Sequence, residues 1–252
     1  MVAIYKTRLW EIDTLRGIAV ILMIIFHILF DLNFFDYISI NLYDGYFLIY
    51  VYFIATLFII LVGVSLTLSY SKAQKTLTKN KMRWKFLRRG FFIFCIGLLI
   101  TLATWLYLPR GFIIFGVLHC IGISIILAYP FIGYKIQPFI LGILFIGIGI
   151  FIKTLTFDFP WLLWLGFTTS DFYTVDYFPL LPWFGVVLVG ISLGNTIYEK
   201  GNRKFTLNDK THLKPIKITT FLGRHSLIIY ILHQPILIGI FTLVSFFLRW
   251  NY

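Results

Sequence analysis

The stretch R-L-W-E-I-D-T-L-R-G-I-A-V-I-L-M-I-I-F-H-I-L-F-D, from Arg8 to Asp31, decides how the rest of the chain is read. Leu15 to Phe35 is an almost unbroken apolar run, long enough to cross a bilayer as a helix. Yet it carries Arg16, His27 and Asp31, and Asp13 stands at its entrance. Ionisable groups at membrane depth are expensive, so they face the protein interior and mark sites. Their spacing fits that rule. At about 100° per residue, Asp13, Arg16, His27 and Asp31 fall within about 60° of arc. One stripe of this helix is polar and the rest is apolar. His27 and Asp31 stand at i and i+4, which makes them surface neighbours. The alternative is a polar seam that glues helices together. A titratable His–Asp pair is an odd choice for that purpose, where Ser or Asn would serve.

Composition agrees with the stretch. Of the 252 residues, 60% are hydrophobic and only 13% are charged, against about half and a quarter in soluble domains. Only bundled helices or closed barrels span lipid, and the apolar segments here are helix-length and do not alternate. The expected fold class is therefore all-α, a polytopic membrane bundle forming one domain over residues 1–252. Cys95 and Cys120 both lie inside apolar segments and read as buried thiols.

Seven spans are expected, at about 15–35, 47–70, 86–106, 112–132, 139–155, 178–198 and 221–248. A turn at Pro109, Arg110 and Gly111 separates the third from the fourth. The fifth is glycine-spaced at Gly142, Gly147 and Gly149, which suits close helix packing. The longest linker without a basic residue, 156–177, holds Trp161, Trp164, Tyr173 and Tyr177. It reads either as an interfacial aromatic belt or as an aromatic lid for a sugar.

Lysine and arginine placement orients the bundle. With the N-terminus inside, only Arg110, Lys153 and Arg249 fall outside, out of 22 basic residues. Lys6, Arg8 and the basic run 71–89 are all inside. The expected topology is N-terminus cytoplasmic and C-terminus outside. The net charge of +12 is then explained by topology and anionic lipid, and nucleic acid is not an expected partner.

Orientation gives depth. At about 1.5 Å rise per residue, His27 lies about 18 Å from the inner face, His233 about 16–18 Å from it, and His119 about 10 Å below the outer face. Three histidines from three helices thus fall in one slab. His119 taken alone also fits a satisfied core histidine. Near His233, Pro235 loosens the helix and frees carbonyls. Metal binding is poorly supported, because no H-x-x-x-H or H-x-x-E-H pair and no carboxylate cluster is present. No G-x-S-x-G, Walker A or dinucleotide fingerprint occurs. At the inner face, Arg16, Arg88, Arg89 and Arg224 are expected beside the starts of three helices, where an anion would relieve the crowding of positive charge. The alternative for Arg88 and Arg89 is snorkelling to headgroups.

The opening E-I-D-T-L-R-G-I-A-V-I-L-M-I-I-F-H resembles that of the heparan-alpha-glucosaminide N-acetyltransferase catalytic domain family. Three later blocks are similar to the same family: F-G-V-L-H-C-I-G at Phe115–Gly122, D-Y-F-P-L-L-P-W-F-G-V-V-L-V-G-I-S-L-G at Asp176–Gly194, and L-G-R-H-S-L-I-I-Y-I-L-H-Q-P at Leu222–Pro235. The D-x-L-R-G opening also looks like that of the wider membrane acyltransferases that decorate surface glycans. The resemblance implies transfer of an acetyl group from cytosolic acetyl-CoA to an amino sugar or glycan across a prokaryotic plasma membrane. The first outer loop holds no histidine, so a catalytic imidazole must come from within the helices. His27 is the expected catalytic imidazole, with Asp31 orienting it. Arg16, Arg88, Arg89 and Arg224 are the expected sites for the CoA phosphates. His119, His233 and Asp13 are expected to bind substrate or to support. The competing reading is a small transporter or lipid flippase for an anionic substrate, which needs a passage but no His–Asp pair. A structural membrane subunit would need neither.

Overall fold

In the computed structural model of the chain, the described residues are 9–41, 44–108 and 110–250, with side chains to residue 247. Lys6, Arg8, Pro109 and the Arg249 side chain, used above for topology and turns, lie outside them. Eight α-helices follow in order: α1 Trp10–Phe34, α2 Gly45–Gln74, α3 Lys79–Tyr107, α4 Val117–Ala128, α5 Ile136–Ile152, α6 Leu180–Ile197, α7 Lys214–Arg224 and α8 Ser226–Trp250. A two-residue antiparallel pair, Tyr198–Glu199 with Asn202–Arg203, is the only sheet among the described residues. Five helices, α1, α2, α3, α6 and α8, are long and apolar enough to cross a membrane. The chain is an all-α integral membrane protein. The other two expected spans form shorter apolar helices, α4 of 12 residues and α5 of 17.

Two boundaries differ from the sequence reading, each for a physical reason. The basic run 71–89 is not a loop, because α2 continues to Gln74 and α3 already starts at Lys79. Lys and Arg are good helix formers, and nothing but the short turn after Gln74 interrupts them. Arg88 and Arg89 therefore lie more than two turns inside α3 at about 3.6 residues per turn, not at its start. The expected last span, 221–248, is two helices. His225 leaves helical geometry at φ −103°, and its ring Nδ1 donates to the Phe221 carbonyl at 2.9 Å. Arg224 closes α7 rather than opening a span, in the last turn, where the helix dipole favours a cation.

The chain folds as two compact units, one made of residues 1–58 and 207–252 and the other of residues 59–206, so the division falls within α2. In the first unit, α1 is held by α7 along its first half and by α8 along its second. The α1–α7 contact is backbone-close. A Cβ at Gly17 would overlap the Thr219 carbonyl, and one at Gly223 would overlap the Asp13 carbonyl. Thr14 and Thr220 then reach each other, hydroxyl to hydroxyl, at 3.1 Å. Just past the end of α1, Phe35 stacks on Phe241 of α8 at 5.7 Å.

In the second unit the core is formed by Ile59, Leu66, Phe86, Ile125, Ile132, Val187, Leu188 and Ile191, all nearly inaccessible. Gly142 and Gly149 of α5 lie against Gly185 and Pro182 of α6, while Gly147 has nothing within 4 Å. Two of the three glycines noted in the sequence thus serve close packing. Ser192 of α6 donates to the Lys135 carbonyl, and the Asn195 amide donates to the carbonyls of Ile132 and Tyr134. These bonds satisfy backbone groups that the turn before α5 would leave open.

The start of α4 is capped from the 156–177 linker. The Asp176 carboxylate accepts from the Val117 N–H at 3.2 Å, placing negative charge where the helix dipole is positive. Asp176→Ala is expected to destabilise this unit by about 1 kcal/mol. The loss should show as a lower thermal midpoint in detergent, and an unchanged midpoint would remove the cap from the account.

Candidate active site

The polar stripe of α1 meets α8 at four residues. His27 and His233 stand edge to face, ring centroids 4.6 Å apart at 64°. One turn along α1, Asp31 is almost fully buried, and its Oδ1 accepts from the Gln234 side-chain amide at 2.7 Å. His233 is buried too, and its Nδ1 donates to the Tyr230 carbonyl at 2.7 Å. His27 Nδ1, Asp31 Oδ2, His233 Nε2 and Gln234 Oε1 are buried without a hydrogen-bond partner among the described residues.

This arrangement matches the expected grouping in one respect and corrects it in another. His27 and His233, read at similar depth, are in contact. The pairing of Asp31 with the His27 imidazole is not present among the described residues; the carboxylate is bonded to Gln234 instead. The i, i+4 spacing brings the two side chains to one face. A better-placed amide donor on the facing helix takes the carboxylate.

The third histidine lies in the other unit and is fully engaged. The Gly116 N–H donates to His119 Nδ1 at 3.2 Å. Nδ1 is therefore the acceptor and Nε2 carries the proton, which faces the Thr101 hydroxyl at 3.4 Å. Phe115 stacks on the ring and Phe94 meets it edge-on. His119 closes the first turn of α4 and fills the core beside Gly97, where a Cβ would crowd the ring.

At the first turns of α1, Asp13 binds two arginines. Arg16 Nη1 donates to Oδ1 at 3.2 Å and Arg224 Nε to Oδ2 at 3.3 Å. Arg16 also donates to the Gly223 carbonyl at 3.3 Å. The three side chains leave one net positive charge, with the Arg224 side chain 42% exposed. Arg88 and Arg89 belong to the other unit. Arg88 lines a surface groove on α3 with Lys81, Trp84 and Lys85. The spacing i, i+3, i+4, i+7 makes this one helix face. Trp84, 64% exposed, stands among the cations.

The linker 156–177 folds around a short 3₁₀ turn at Leu163–Leu165. Phe159 stacks on Trp161 at 5.1 Å, and the Tyr177 hydroxyl donates to the Leu163 carbonyl at 2.7 Å.

Gln234 is the functional-site residue that sequence reasoning passed over. Its signal was present in H-Q-P at 233–235, an amide inside an apolar helix beside a histidine.

Chemically, the first unit offers two imidazoles, one carboxylate and one amide in an apolar surrounding. That is equipment for moving a proton, since imidazole titrates near neutral pH. A search of curated proteins and one of solved structures find no match to the chain. Residues 8–235 match the family model described as "Heparan-alpha-glucosaminide N-acetyltransferase, catalytic", so most of the chain is covered, polar stripe and H-Q-P included, and the chain belongs to that family of membrane acetyltransferases.

Proposed function

We propose that the protein transfers an acetyl group from cytosolic acetyl-CoA to an extracytoplasmic acceptor, an amino sugar or glycan. It would act as one acetyltransferase domain over residues 1–252 in a prokaryotic plasma membrane. Seven spans, with the N-terminus cytoplasmic and the C-terminus outside, are part of this reading, supported by the 19-to-3 division of basic residues. The observation that carries it is the contact of His27 with His233 beside the Asp31–Gln234 bond, inside a chain of this family.

His27 and Asp31 are the catalytic-centre residues on α1. An imidazole of this His27–His233 centre removes the acceptor's proton as its oxygen or nitrogen attacks the thioester carbonyl. Asp31 acts through Gln234: the bond locks α8, which carries His233, against α1. Asp13 sets the two inner arginines. Arg16 and Arg224 of the first unit are the proposed groups for the CoA phosphates; Arg88 and Arg89 of α3, in the other unit, are proposed separately as anion-binding groups. His119 supports α4.

Purified protein in lipid nanodiscs, given acetyl-CoA and glucosamine, should release free CoA and yield an acetylated sugar. Anion transport without CoA release would replace this reading with that of a transporter. For the donor groups, Arg16→Ala or Arg224→Ala should raise the CoA Kd roughly tenfold or more, since a hydrogen bond to a charged group contributes about 1.5–3 kcal/mol. Arg88→Ala and Arg89→Ala should have smaller effects, as snorkelling side chains would. Unchanged titration calorimetry for both Arg16→Ala and Arg224→Ala would move the donor site elsewhere.

A further inference from the structure

Two imidazoles touch at the centre, and their hydrogen bonds distinguish them. The Tyr230 carbonyl can only accept, so His233 Nδ1 bears the proton of that 2.7 Å bond. In the neutral ring this leaves Nε2 with a lone pair and no proton. That atom is buried and has no partner among the described residues. No such bond fixes His27, whose Nδ1 is also buried and unpartnered.

The neighbouring atoms share one character. Gln234 spends an amide hydrogen on Asp31 Oδ1, which fixes the amide's orientation and leaves Oε1 as an acceptor. Asp31 Oδ2 is the unused oxygen of the carboxylate. With Asp31 1% and His233 9% exposed, water supplies few donors here. His233 Nε2, Asp31 Oδ2 and Gln234 Oε1 are thus three buried acceptors on two helices, beside the Gln234–Asp31 bond and the His27–His233 ring contact. Buried acceptors call for donors. A glue function would have set donors of the facing helix against them.

We propose that His233, through Nε2, is the general base of the transfer, and that Asp31 Oδ2 and Gln234 Oε1 bind the acceptor, a molecule bearing several hydroxyls or a neutral amine. This rests on the reading of the protein as an acetyl-CoA-dependent transferase. The acceptor's O–H or N–H proton passes to His233 Nε2 as the oxygen or nitrogen bonds to the acetyl carbonyl carbon. The carbon–sulfur bond breaks and its electron pair leaves with the CoA sulfur. The imidazolium then returns its proton to that thiolate, so the ring ends as it began and CoA leaves as the thiol. The Nδ1–H bond to Tyr230 persists throughout and steadies the positive ring, the role a carboxylate plays in a triad. His27 packs edge-on against the base and sets its tilt. The remaining acceptors take the acceptor molecule's other hydroxyl hydrogens. A substrate lacking them would leave buried polar atoms unpaired, which is how such sites discriminate.

The test uses full-length protein in nanodiscs, acetyl-CoA as donor, and glucosamine or water alone as acceptor, reading CoA thiol release. His233→Ala should lower kcat by about 10²-fold or more, the ordinary share of a general base, with CoA affinity unchanged. Free imidazole in solution should restore part of the loss. His233→Gln, close in size, should be equally slow and should not respond to imidazole. If His233→Ala does not purify as a folded, CoA-binding protein, the Gln variant carries the test alone. Rates within about threefold of wild type in either folded variant overturn the assignment, since a base contributes far more. So does a folded His233→Ala that imidazole cannot revive. A wild-type protein that releases CoA with neither acceptor overturns the transferase reading itself, and this assignment with it. An active wild type with active His233 variants overturns the assignment alone.

Discussion

His27→Ala should lose acetyl transfer by at least about 10²-fold while keeping its fold and its affinity for CoA. The ring stands 4.6 Å from His233 and lines the same group of buried acceptors. Its removal deletes an imidazole from the centre and lets the neighbouring ring tilt, and misplacement by about 1 Å is enough to cost such a factor. The fold should survive because His27 makes no hydrogen bond among the described residues and is only half-buried. CoA affinity should survive because Arg16 lies 11 positions earlier on α1, about 16 Å away along the helix. Asp31→Asn is the companion measurement. It keeps an oxygen for the Gln234 amide but removes the charge, so transfer should slow by a smaller factor with CoA binding intact. A His27→Ala enzyme working at the wild-type rate would sink the mechanism and return the α1 stripe to structural glue.

The polar stripe was readable because a helix has a fixed period, so angular position follows from residue number alone. Rise per residue likewise gave His27 and His233 a similar depth. Depth says nothing about lateral position, and that is why His119 could not be separated from them. Its ring nitrogens are committed to Gly116, the cap of its own helix, and to Thr101 of α3, and the second partner becomes visible only once α3 and α4 are packed. The partner of Asp31 was hidden for a related reason. Which side chain of α8 faces it depends on the rotation of α8, and neighbours 233 and 234 point about 100° apart. The fold class was legible from segment length and composition. The break at His225 was not, because the apolar pattern runs on through Phe221 and Leu222 and no proline marks the boundary. The onset of hydrophobicity puts the arginine cluster at helix starts, whereas the helices themselves start elsewhere. The cationic turns of α3 and the separate α7 show that a helix can extend well past its apolar portion.

Gly223→Ala and Gly17→Ala should each unseat α7 from α1 and destabilise the protein by about 1–3 kcal/mol or more. The added methyl would overlap a backbone carbonyl oxygen in both cases, of Asp13 and Thr219 respectively. A side chain can rotate out of such a clash, but a carbonyl fixed in a helix cannot, so the helices must separate. Separation also breaks the Thr14–Thr220 bond and moves Arg224 and the Gly223 carbonyl away from Asp13 and Arg16. The same variants should therefore weaken CoA binding if the donor phosphates sit among these arginines. Gly147→Ala supplies the control with identical chemistry. Nothing lies within 4 Å of the new methyl, and in a helix interior Ala is favoured over Gly by roughly 1 kcal/mol. Thermal midpoints in detergent should thus fall for Gly17→Ala and Gly223→Ala and hold or rise for Gly147→Ala. Equal midpoints for all three would mean that the α1–α7 contact is looser than its backbone distances require. A fall in stability with CoA affinity unchanged would keep the packing but remove the donor phosphates from the α1–α7 seam.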